Sequence, residues 1–427
     1  MKSQAVRNLS WSLLCGTLAA AAGCDGLQRS PLDPVQASED AGSDQPGAQS
    51  TSDKFALWST GLNLRGANIY QRRVYPEIDG TTFIGPGPIG PPQEQSDFDH
   101  LAAMGANYVN LSVPGAFTER PPYQLDTAAL ANLDDLVAKA TAARLFVVIS
   151  LRTGPGRSEF AIHEGQTWFP QSLVNNQVWT SQDAQDAWVE MWRTLADHFK
   201  GNPVIVGFDL MMEPNGASTI YGEWNPALFD LLYAGTLPDW NQLHPRLAAA
   251  IREVDADTPV LVSPNAYGSI DWLSRLKPSG VARTVYSVHN YDPMEFTHQD
   301  PGAGVHYPGE MTVDDKTQTV NADYLAGRLD LIDKFRTARG APVAVTEFGV
   351  KRWAPGAAAY VADITSQFEQ RGLNHAQWLW ESSYAGLAEV DDFNFRHGPD
   401  PENHVDVPGS DLMDAILGDW ARNTLRP

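Results

Sequence analysis

Cysteine is nearly missing: the 427 residues contain two, Cys15 and Cys24. Cys15 lies inside the apolar N-terminal stretch, so a processed chain keeps at most Cys24. That excludes an intrachain disulfide, and with it cysteine-based zinc or redox chemistry. Positive charge is also scarce. Lys and Arg number 30 against 52 Asp and Glu, a net charge of −22, which excludes nucleic acid and anionic lipid surfaces as natural partners. Long apolar runs are lacking too. Leu9–Ala22 is too short for a spanning helix, and no later run reaches about 18 residues. There is no internal repeat. No glycine-rich phosphate loop follows the first strand-like segment, where Leu64-Arg65-Gly66-Ala67-Asn68 stands, and no strand end carries a His-x-His pair.

What is present is a large core and many rings. Hydrophobic residues make up 43% and charged residues 19%, enough apolar surface to exclude wholesale disorder. Thirteen Trp, 13 Tyr and 16 Phe, with the acidity, suit an exported protein that handles a neutral, stackable ligand. The N-terminus reads the same way. Lys2 and Arg7 precede the apolar run, which ends in Ala21-Ala22-Gly23-Cys24. Small residues followed by cysteine resemble the bacterial lipobox, so residues 1–23 are expected to be a lipoprotein signal peptide and Cys24 the lipidated residue. Residues 24–53 are rich in Ser, Asp, Gln, Gly and Pro and are expected to form a flexible tether on a bacterial membrane. Residues 54–427 are expected to form one domain.

Within it, eight short apolar runs have strand character: Leu62–Gly66, Tyr108–Val113, Leu145–Leu151, Val204–Met211, Val260–Ser263, Thr284–Val288, Val343–Thr346 and Ala376–Trp380. Helical patterns separate them, among them Asp126–Arg144, Ser181–Lys200, Asn321–Arg339 and Ala357–Arg371. Near-continuous apolar strands alternating with helices predict a single (β/α)8 TIM barrel of the α/β class. In such barrels the chemistry sits where strands run into the following loops. Polar groups at those ends are Arg152 after the third strand, Glu213 after the fourth, His289 and Tyr291 after the sixth, Glu347 after the seventh, and Trp380 on the eighth.

Two glutamates three strands apart on a closed barrel can face each other. Glycoside hydrolysis needs such a pair, one carboxyl protonated to donate to the leaving oxygen and the other ionised to attack. The chain resembles glycoside hydrolase family 5, the cellulase family of the clan A retaining glycosidases. Five segments carry the resemblance: Leu64-Arg65-Gly66-Ala67-Asn68, Glu213-Pro214, His289-Asn290-Tyr291, Thr346-Glu347-Phe348-Gly349 and Trp378-Leu379-Trp380-Glu381. It implies Glu213 as acid/base and Glu347 as nucleophile. It places His289 near the acid/base, Tyr291 on the nucleophile, and Trp380 as the floor beneath the sugar. No cofactor or metal is expected. The partner is a carbohydrate, and the chain is expected to act as a monomer.

Three positions depart from the family. Met212 stands where an Asn normally holds the sugar 2-hydroxyl, Asn110 where an Arg ends the second strand, and Arg152 where a His ends the third. Arg152 is therefore expected either to support Glu347 from the neighbouring side or to neutralise Glu159, and Asn110 or Asn215 to take over the 2-substituent. The alternative to an enzyme is a glycan-binding lipoprotein on a barrel that has lost turnover. Long insertions at 72–95, 154–180, 215–240 and 291–320, rich in aromatics, are expected to wall a deep cleft.

Overall fold

The computed structural model describes residues 53–80, 84–384 and 391–427. Cys24 and the expected signal and tether lie outside the described residues. Eight parallel strands close into a barrel: β1 (Arg65–Tyr70), β2 (Tyr108–Pro114), β3 (Phe146–Thr153), β4 (Ile205–Asp209), β5 (Val260–Val262), β6 (Thr284–Asn290), β7 (Val343–Phe348) and β8 (His375–Trp380). Each strand pairs with its sequence neighbours, and β1 pairs with β8 to close the ring. The expected (β/α)8 architecture is what the chain forms.

Helices cover the outside where the sequence places them. Helix α1 (Gln95–Ala103) follows β1 and α2 (Thr127–Ala142) follows β2. Helix α3 (Gln182–Phe199) follows β3, α4 (Trp240–Val254) follows β4, α5 (Ala322–Arg339) follows β6, α6 (Ala357–Arg371) follows β7 and α7 (Asp411–Trp420) follows β8. The starts are set by side-chain caps. Asp126 accepts from the Ala128 and Ala129 amides, Ser181 from Ala184, and Asn321 from Tyr324. On α3, Trp188, Met191, Trp192 and Leu195 are fully buried against the barrel, each contributing about 1.5–3 kcal/mol.

Two expectations need correction. The first strand runs Arg65–Tyr70, not Leu62–Gly66. The Asn374 side chain ties down the Asn63 and Leu64 amides below the sheet, and Leu64 packs in the barrel floor. Gly66 is required where β1 meets β2, since a Cβ there would lie 1.8 Å from the Tyr108 carbonyl oxygen. After β5 no full wall helix forms, only a short kinked helical segment, Asn265–Gly268, and a 3₁₀ turn, Ile270–Arg275.

The interior is layered. At the N-terminal end, Trp58 donates to the Val206 carbonyl at 2.9 Å and packs with Leu64, Tyr108, Phe146 and Val148, closing the bottom. Towards the C-terminal end the inward residues turn polar: Asn68, Asn110, Ser112, Ser150 and Asp209 are all fully buried. Among the described residues, no helix is long and apolar enough to cross a membrane.

Candidate active site

Glu213 and Glu347 meet at the C-terminal rim. They share one neighbour, His289 at the end of β6, whose Nδ1 lies 3.0 Å from Glu213 Oε1 and 3.6 Å from Glu347 Oε2. The facing atoms of all three groups fall within 4.8 Å of one another. Tyr291 donates its hydroxyl to Glu347 Oε1 at 2.5 Å. Glu213 is the more open of the two, with its side chain 28% exposed against 6% for Glu347.

The backbone at Glu213 is strained. Its φ is +52°, a left-handed conformation that a non-glycine residue holds at a cost of about 1–3 kcal/mol. The surroundings hold it there. Arg157 donates to the Met212 and Glu213 carbonyls at 2.7 and 2.8 Å, and the Met212 amide donates to Leu151 O at 2.9 Å.

The electrostatics of the cluster follow from burial and three cations. Burial pushes the Glu347 carboxyl up. Protonated His289 pulls it down, the like charge of Glu213 pushes it up again, and the outcome is about 7. Burial also acts to raise Glu213, but the His289 hydrogen bond and charge, with Arg152 and Arg157, outweigh it and hold Glu213 below its usual range. Burial disfavours the imidazolium, yet Glu347, Glu213 and Asp209 together raise His289 to about 9. Asp209 itself is buried below the site, bonded by Ser150 Oγ at 2.7 Å, and burial lifts it to about 6.

Glu213, Glu347, His289 and Tyr291 converge as expected. Arg152 does not bond Glu347. Its guanidinium donates to Glu159 at 2.9 Å, to Ser112 at 3.1 Å and to the Met212 sulfur at 2.9 Å, and lies over the rings of Tyr70 and Trp378 at 4.8 and 5.5 Å. It therefore neutralises Glu159, and acts on Glu347 only through its charge. Asn110 is fully buried beneath the site, donating to Asn68 Oδ1 at 2.7 Å, so it faces the barrel interior and not a sugar. Asn215 is likewise buried. Its Oδ1 accepts from Trp179 and its Nδ2 reaches Tyr267, which pins the loop after Glu213.

Trp380 faces the wrong way for a sugar floor. It is 1% exposed and packs outward among His100, Phe395 and the Arg396 guanidinium. The ring on the Met212 side is Trp378, which is buried with Tyr70, Met212, Leu379 and Phe393. Two residues apart on a regular strand would share a face. Here the pairing passes from Ala67↔Gln377 to Ile69↔Trp380, so β8 carries one extra residue and the two tryptophans point oppositely. Met212 does border this pocket, its sulfur accepting from Ser112 at 3.0 Å.

The insertions pack partly on themselves. Trp168 and Phe169 cluster with Phe160 and His163, and Tyr221 stacks on Tyr233 at 3.7 Å. Trp224 stays half exposed, stacked on Tyr267 beside the Glu213 loop. Sequence reasoning missed Trp378, Tyr70 and Arg157. The Gly154-Pro155-Gly156-Arg157 turn was a signal for the last, since such a turn fixes whatever follows it.

Two clusters bring metal-ligating atoms together, Glu213–His289–Glu347 and Asp391–His397–His404. In the first, His289 Nδ1 is already bonded to Glu213 Oε1 at 3.0 Å. In the second, the Asp391 carboxylate is already bonded by both histidines and by Arg352.

Comparison with known proteins agrees with the barrel. The model of the cellulase family, glycosyl hydrolase family 5, matches residues 71–383. The chain belongs to that family. An endoglucanase of Paenibacillus polymyxa is 31% identical over 141 residues, covering 29% of this chain and 32% of its own length. Endoglucanase C of Acetivibrio thermocellus is 23% identical over 249 residues, covering 57% of this chain and 60% of its own. The matched regions thus span between about a third and three fifths of these relatives. Among solved structures, endoglucanase Cel5A from Thermotoga maritima superposes with a TM-score of 0.59 at 19% identity, covering 85% of this chain and 99% of that one. A further glycoside hydrolase superposes with a TM-score of 0.60 at 20% identity, covering 84% and 99%. At that identity the likeness concerns the fold.

Proposed function

We propose that this protein is a retaining glycoside hydrolase cleaving β-linked glycans by double displacement. The observation that carries the reading is the facing pair. Glu213 and Glu347 oxygens lie within 4.8 Å, on either side of one imidazole, with a tyrosine hydroxyl on Glu347. Retaining enzymes hold their carboxyl groups roughly 5–5.5 Å apart, whereas inverting ones need a wider gap to admit a water.

Glu347 attacks the anomeric carbon, and Tyr291 anchors it on one oxygen. Glu213, the more open carboxyl, donates its proton to the leaving oxygen and then activates water. In the open site the electrostatics favour the proton on Glu347, the reverse of what attack requires. His289 Nδ1 faces both carboxyls, so the three groups titrate as one unit and share their protons. Formation of the glycosyl bond removes the Glu347 charge. That lowers the repulsion on Glu213 and suits its change from acid to base.

Trp378 offers a ring to the apolar face of the sugar. Met212 replaces the amide that would hold a 2-hydroxyl, so plain glucosides lose one transition-state hydrogen bond, worth about 1–3 kcal/mol. The endoglucanase names of the relatives, and Thermotoga Cel5A structures titled with cellobiose and mannotriose, direct the first assays to β-glucans and β-mannans. The test is a glycan panel read by anomeric NMR, with Glu213→Gln as control. The first-formed product is expected to keep the β configuration. An inverted first product, or turnover unaffected by the substitution, would overturn the reading.

We further propose that the protein is exported and lipid-anchored through Cys24, on the strength of the Ala21-Ala22-Gly23-Cys24 run. Full-length protein is expected in the membrane fraction and the Cys24→Ala protein in the soluble fraction. Equal partitioning would refute the anchor.

A further inference from the structure

Arg157 is a buried cation with an unusual set of partners. It is 5% exposed, and among the described residues no carboxylate lies within salt-bridge distance of it. Its two terminal nitrogens are spent on backbone, Nη1 on Met212 O at 2.7 Å and Nη2 on Glu213 O at 2.8 Å. Its Nε has no partner. Burying a guanidinium without an ion pair is unfavourable, and a chain that needed only two donors there could use neutral ones. The two carbonyls it grips belong to the one stretch where a glutamate is held at φ +52°.

The mount of Arg157 is rigid. It closes the tight turn 154–157, in which the Arg157 amide bonds Gly154 O at 2.9 Å and the Gly154 amide bonds Arg157 O at 3.1 Å. Trp188 donates to Pro155 O at 2.8 Å, the Gly156 amide to Glu119 O at 2.9 Å, and the Val178 amide to Gly156 O at 2.8 Å. Gly156 sits at φ +69°, and a Cβ there would come within 2.8 Å of both Val178 N and Ala184 Cβ. The turn is thus locked to α3 and to the loop after β2, and cannot follow Glu213 if that residue relaxes.

We infer that Arg157 is a positioning residue that holds the acid/base glutamate in its left-handed, productive conformation by clamping the Met212 and Glu213 carbonyls. The inference rests on the reading of Glu213 as acid/base given above. The planar fork matters as well as the charge, because two successive carbonyls are engaged by two nitrogens of one group. Released from the clamp, Glu213 falls back to a negative φ, and its carboxyl swings off the leaving oxygen. The nucleophile is untouched, because Glu347 is held by Tyr291 and His289 from the end of β6.

The test separates proton donation from everything else. kcat/KM is measured for 2,4-dinitrophenyl β-cellobioside, whose leaving group needs no acid, and for cellotetraose, which does. Arg157→Ala is expected to lose about a hundredfold or more on cellotetraose and less than about fivefold on the dinitrophenyl substrate. Millimolar guanidinium is expected to restore part of the cellotetraose activity. Arg157→Lys is expected to fall in between, with a melting temperature near wild type, which keeps the test valid if the alanine protein folds poorly. Adding Arg157→Ala to Glu213→Ala should cost little more, since both act on one proton. Equal losses on the two substrates, no loss on either, or multiplicative losses in the double variant would overturn the clamp. If Glu213→Ala itself shows no difference between the two substrates, the acid/base assignment fails first, independently of Arg157.

Discussion

Glu347→Gln is expected to reduce turnover by on the order of 10⁵–10⁶-fold on every substrate, the scale on which removal of a covalent nucleophile is felt. Among the described residues, no other carboxylate joins Glu213 and His289 in the facing cluster. Glu381, the nearest in sequence on the next strand, is buried and bonded to Asn394. Glu213→Ala is expected to behave differently. Substrates with poor leaving groups should slow by about 10²–10⁴-fold, the contribution of a positioned general acid, while activated aryl glycosides slow far less in the first step. Their second step lacks its base, so added azide should raise turnover and yield a β-glycosyl azide. Steady-state kinetics and product analysis check both variants. Either glutamate variant running at the wild-type rate would remove the two-carboxylate mechanism.

The second large effect concerns pH. His289→Asn removes the cation that faces both carboxyls. That cation holds Glu347 down to about 7 against burial and the Glu213 charge, and it holds Glu213 below the usual range. Without it both carboxyl pKa values rise. Both limbs of the kcat/KM profile, which report the two ionisations of the coupled pair, should therefore move to higher pH. Arg152→Ala should move the acidic limb the same way by less, since its hydrogen bonds go to Glu159, Ser112 and Met212 and only its charge reaches Glu347. An acidic limb that stays in place in the His289→Asn protein would show that the imidazole does not set the nucleophile's charge. The groups acting on the pair from the other strands and loops are Arg152, Arg157, Tyr291 and Asp209.

Both Trp378 and Trp380 stand at the end of an apolar strand, and either could floor a sugar site. The choice depends on the single extra residue between Gln377 and Trp380, a property of how β8 pairs with β1. Sequence period alone would put both rings on one face. Asn110 and Asn215 mislead in a similar way. An amide near a catalytic residue in sequence is equally able to bind a sugar or to satisfy buried backbone and indole groups, and here both do the latter.

The eight strands, the capped helices between them and four of the rim residues, Glu213, His289, Tyr291 and Glu347, are legible in the linear chain. The reason is local. Apolar runs of strand length, side chains that cap the next helix, and a polar residue at the end of each run are all written within about twenty consecutive positions. Which tryptophan packs beside Met212, and that Arg157 grips the backbone of Glu213, come from contacts between segments far apart in the chain: residues 67 and 377, 157 and 213. Their geometry is fixed by barrel closure and strand register, which no local stretch of residues contains.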